Sequence, residues 1–90
     1  MVSERPHHES PIQAAHRRRI EMIRDEAISL AGTATKIAQA MSQVLDRGGA
    51  INIQSQMSFI TGAYARMSKD WGVVEHLQAQ GATIKPPQKK

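Results

Sequence analysis

The chain has 90 residues, 40% of them hydrophobic and 3% aromatic, with a formal charge of +4 and no cysteine. That length makes one small domain, and the missing thiols exclude a disulfide framework, a cysteine nucleophile and thiolate zinc sites. The positive charge is a weak sign of nucleic acid: five arginines face five carboxylates within residues 1–26, and most of the surplus falls from residue 66 onward.

Residues 1–9 carry Pro6, mixed charges and no periodicity, and read as a flexible leader. They contain no apolar signal core, and no window of the chain approaches the ~20 apolar residues needed to cross a bilayer. A soluble, cytoplasmic protein without membrane insertion is the expectation. His7, His8, Glu9 and His16 offer metal-binding side chains, but two adjacent histidines in a leader lack the four-residue helical spacing that fixes a zinc pair, so no metal or cofactor is expected.

Ser10-Pro11-Ile12-Gln13 is a helix start. The serine can cap, the proline needs no amide hydrogen at the first helical position, and the glutamine completes a capping box. From there Ile20, Ile23, Ala27, Leu30, Ala34, Ile37, Met41 and Val44 step alternately by three and four, the spacing that keeps one stripe of a helix against a partner. A helix over 11–46 follows, locally weakened by Gly32. Arg47 to Asn52 supplies a turn, because Gly48 or Gly49 can take the left-handed conformation and Asn52 can cap what comes next.

Ile53, Met57, Ile60, Tyr64, Met67, Trp71 and Val74 repeat the same spacing, predicting a second helix over 53–80 that Gly81 ends. The hairpin then spans 10–81, and residues 82–90, with Pro86-Pro87 and three lysines, form a flexible basic tail. The fold class is all-α: an antiparallel hairpin of two long helices, expected to dimerise into a four-helix bundle because two helices alone hide only one stripe each. If the bend centres on Gly49, facing residues have numbers summing to about 97 or 98, which sets Ala34 against Tyr64 and Ala27 against Trp71. Small residues would then meet large ones on a seam that buries the Trp71 indole.

Off that seam, Ala31, Ala38 and Leu45 widen the first stripe on one flank and Ile28 and Ala40 lie near the other, while Phe59, Ala63, Val73 and Leu77 make a partial second stripe. So wide an apolar arc suits more than two helices. Ile28, Phe59, Ala63, Val73 and Leu77 are accordingly the candidate protein-interface residues. The stretch from Gly48 to Ala65 holds no charged side chain, which keeps desolvation inexpensive at a contact.

Arg17, Arg18 and Arg19 with Lys85, Lys89 and Lys90 are the candidate residues of an alternative reading, a small basic nucleic-acid-binding or regulatory protein. Three consecutive arginines point about 100° apart on a helix, however, and no aromatic is interleaved for base stacking. Arg17 through Ile28 resembles the first helix of the small all-helical chorismate mutases, which hold a dicarboxylate with cationic side chains turned into the bundle. Here the predicted seam is wholly apolar, Lys36 lies off it, and no arginine follows at a matching inward position until Arg66, so that activity is not carried over. The Arg47-Gly48-Gly49 turn between amphipathic helices is similar in outline to the hairpin co-chaperones of bacterial type III secretion needles. A paired hairpin resembles the plasmid copy-control four-helix dimers. Both resemblances imply assembly without catalysis. The expected function is a non-enzymatic protein-protein interaction module, an adaptor, co-chaperone-like or structural subunit with a protein partner, as a homodimer in the simplest case.

Overall fold

The structure, a computed structural model, describes residues 9–86, and among them the secondary structure is entirely helical: α1 spans Pro11–Arg47 and α2 spans Gln54–Ala79, packed against each other. His7 and His8, with Lys89 and Lys90, lie outside the described residues. Ser10 caps α1, its Oγ accepting from the Gln13 amide at 3.2 Å, with Pro11 opening the first turn. The helix ends as the Gly48 amide donates to the Val44 carbonyl at 2.7 Å, and Gly48 (φ 82°) and Gly49 (φ 115°) reverse the chain in a region where a Cβ would be strained.

Asn52 serves α2 from one position further out than a standard cap, accepting from the Gln54 amide at 2.9 Å, while Ile53 stands at the boundary and offers no side-chain acceptor. At the far end the Ala82 amide donates to the Leu77 carbonyl at 3.1 Å and the Gly81 amide to that of Gln78 at 2.9 Å, with Gly81 at φ 97°. This is the Schellman pattern. It satisfies two terminal carbonyls and turns Ala82 inward, where it is buried.

The register differs from a bend centred on Gly49. Two ion pairs join the helices, Arg19 with Asp70 and Arg66 with Glu26, so facing residues have numbers summing to about 90 rather than 97 or 98. The reason is unequal length. α1 has 37 residues and α2 has 26, so aligning Pro11 with Ala79 leaves the last eleven residues of α1 beyond the start of α2. Those residues rise about 16 Å, and the six linker residues Gly48 to Ile53 can span about 20 Å when extended. The linker therefore runs back along the projecting end of α1 before α2 begins. The molecule is long, with a radius of gyration of 19.3 Å, against roughly 12 Å for a compact chain of this length.

Candidate protein-interaction face

Burial along each helix locates the seam. Along the seam the shielded positions of α1 include His16, Ile20, Ile23, Glu26, Leu30, Thr33, Ile37, Ala40 and Val44; on α2 and its N-cap Ile53 they include Gln56, Ile60, Ala63, Met67, Asp70, Val74 and Leu77. Five of the eight rungs of the first expected ladder and four of the seven of the second face inward. The remaining rungs are displaced by one residue, so that Glu26, Thr33 and Ala40 take the places expected of Ala27, Ala34 and Met41, and Gln56, Ala63 and Asp70 those of Met57, Tyr64 and Trp71. The seam is thus not wholly apolar, and Trp71 is not buried: it is 48% exposed and Tyr64 67%. Helices in close contact lie 8–10 Å apart. Ala63 permits that approach, whereas a ring at the same position would hold the axes apart with no further layer to fill the gap.

The displaced residues all point one way. A step of one residue turns an α-helix by 100°. Because α1 and α2 are antiparallel, the same step carries both helices' side chains to the same side of the hairpin. Ala27, Ala34 and Met41 on α1, and Met57, Tyr64 and Trp71 on α2, form one exposed flank, which Ile20 borders and Ala31, Ala38 and Leu45 extend. In the observed register Trp71 stands level with Ile20, Tyr64 with Ala27 and Met57 with Ala34. A low alanine column therefore runs beside a tall aromatic and methionine column, with no charged side chain between them.

The opposite flank is polar. Arg19 Nη1 donates to Asp70 Oδ1 at 2.5 Å, and Arg66 donates through Nε and Nη2 to both oxygens of Glu26 at 3.2 and 2.7 Å. These hydrogen bonds from Arg66 hold the Glu26 carboxyl below the usual carboxylate range against desolvation, and Glu26 in turn raises Arg66. An open cleft of about 520 Å³ on this flank is lined by both pairs together with Met22, Asp25, Ser29 and Lys69. Both arginines in it already carry carboxylate partners. The sequence held a signal for these pairs: Arg19 and Glu26 are seven apart on α1, Asp70 and Arg66 four apart on α2, and their signs match only when the helices run in opposite directions.

The five expected interface residues do not share one surface. Ala63 is fully enclosed within the hairpin, Val73 and Leu77 are half-buried, Ile28 points away from α2 and is 64% exposed, and Phe59 lies toward the ion-paired side. Among the nucleic-acid candidates, Arg17 is held by Glu9 and Glu21, which raise its pKa, Arg19 is committed to Asp70, and Arg18 and Lys85 are exposed. Among the described residues no three His, Cys, Asp or Glu side chains gather to hold a metal, and no helix is long and apolar enough to cross a membrane. No family model, curated protein or solved structure matches the chain.

Proposed function

We propose that this protein is a non-enzymatic interaction module that works through an apolar helix face, as an adaptor, co-chaperone-like or assembly subunit, and that two hairpins join into a four-helix bundle. One observation carries the reading. Among the described residues the enclosed apolar core consists of Ala63, Val74 and Ala82, while Met41, Met57, Tyr64 and Trp71 stand exposed on a single flank. A chain this small needs more buried surface than that, and this flank, whose two central columns carry no charge, is the surface that supplies it at least desolvation cost.

Solution mass tests the reading. Sedimentation equilibrium across micromolar to millimolar protein should give about twice the 9.9 kDa chain mass, persisting at high salt because apolar contact is not screened. A mass that stays at that of one chain throughout, with cooperative unfolding, overturns self-association.

A further inference from the structure

Given that two hairpins associate, we infer how: they meet on the flank of Ala27, Ala34, Met57, Tyr64 and Trp71, with a two-fold axis parallel to the helices, so that α1 of each copy lies on α2 of the other. The inference rests on the functional reading above and adds the surface, the occupant and the symmetry.

The occupant is a second copy because the flank complements itself. An isologous contact requires one patch to fit its own image. Here one half of the patch is low and the other tall, the relief that interdigitates when each half meets its opposite. From Ile20 to Met41 the flank is about 32 Å long, two helix diameters or about 20 Å wide over most of that length and one helix wide where α1 projects. Its projected area, on the order of 600 Å², approaches the roughly 800 Å² per partner of a stable interface. The facing columns Ile20 to Met41 and Met57 to Trp71 carry no charge, Arg24 and Glu75 lying on their outer edges, so a chain of formal charge +4 meets its copy where repulsion is least.

Two arrangements bring such flanks together, and the relief separates them. An axis lying across the helices would stack α1 on α1 and α2 on α2, pressing Tyr64 and Trp71 onto their own kind and leaving a gap between the alanine columns. An axis along the helices preserves the level of each residue and exchanges the columns. Ala27 then sits under the other copy's tyrosine, Ala34 under its methionine and Ile20 beside its tryptophan. Every neighbouring helix pair is antiparallel, both turns lie at one end, and the ion-paired flanks remain outside.

The natural chain lacks cysteine, so Asp46→Cys on the exposed end of α1 accepts one spin label away from the flank. Pulsed dipolar spectroscopy on the labelled full chain should give an intermolecular distance of roughly 20–30 Å, since bundled axes lie 8–10 Å apart. The crossed arrangement sets the labels about 50 Å apart by helical rise, and that result overturns the inferred symmetry while leaving the interaction module standing. Ala27→Glu should weaken association at least 100-fold, whereas Lys36→Glu, exposed toward the other flank, should change it less than threefold. The reverse pattern assigns the contact to another surface and overturns the inference. A protein monomeric at every concentration overturns both it and the reading beneath it.

Discussion

Ala63 and Tyr64 are adjacent in sequence and opposite in environment: the alanine is completely enclosed against α1, and the tyrosine stands on the open flank. A ladder of three-and-four steps leaves a freedom of one residue at every other rung, and on α2 the fold uses it to place the smaller member of each pair inside, whereas on α1 Glu26 and Thr33 enter in place of the smaller Ala27 and Ala34. On α2 the same choice occurs at Asp70 and Trp71, and at Gln56 and Met57.

That choice separates the energetic roles of two neighbours on α2. Val74 is fully buried, and Val74→Ala should cost about 2–3 kcal/mol in urea unfolding through lost burial and the cavity left behind. Trp71→Ala, measured at concentrations where the chain is monomeric, should cost only about 1–2 kcal/mol because half the indole is already in water. The tryptophan change should instead abolish the rise of mass with concentration.

Asp70 is the most shielded carboxylate of the seam and accepts from Arg19. Asp70→Ala leaves the half-exposed Arg19 to find water, so the expected loss is that of one charged hydrogen bond, about 1–3 kcal/mol. Equilibrium denaturation of Asp70→Ala, Arg19→Ala and the double variant should show coupling of the same sign.

Glu26 sets the sign of the acid response. Its hydrogen bonds from Arg66 lower the folded-state pKa below the ordinary value of 4.5, so the pair's stabilisation is fully present above that value and is lost as pH falls through the lower folded one. Glu26→Gln should flatten this part of the acid limb in thermal melts run from pH 6 down to pH 2, and should leave the curve near pH 7 with the same slope.

His16 is buried near the open end of the hairpin, and among the described residues neither ring nitrogen has a hydrogen-bond partner. Leucine of similar bulk removes both polar atoms, so His16→Leu should raise stability by about 1 kcal/mol, read as an increase in Tm.

Glycines divide by backbone and space. Gly32 and Gly72 are helical, have ordinary φ and open room for a Cβ, so alanine at either should stabilise by about 0.5–1 kcal/mol. Gly48 and Gly49 have equal room but positive φ, and alanine there should cost about 1–2 kcal/mol. Thermal unfolding of the four single variants checks the split.

The hairpin was legible because its signals are local: the Ser10 cap, the glycine reversal and two periodic stripes act within a few residues of chain. Which residue of each rung turned inward was not legible from hydrophobicity, since Trp71 is more apolar than Asp70 and yet lies outside. The deciding contacts, Arg19 with Asp70 and Arg66 with Glu26, span 51 and 40 positions and depend on register. Register in turn depended on the conformation of the linker, where a six-residue connection from Gly48 to Ile53 and a tight turn at Gly49 are compatible with the same composition. Of the expected interface residues, Ala63, Phe59 and Ile28 point in different directions because helix rotation separates them, and Ala63 is enclosed within the hairpin.

The projecting final turns of α1 make the molecule unequal from end to end. Leu45, 87% exposed, rides on the part of α1 that projects beyond the start of α2. Amide protons from about residue 40 to 47 should therefore exchange with solvent long before those flanking His16 and Val74, and opening of the structure should spread from the bend toward the termini.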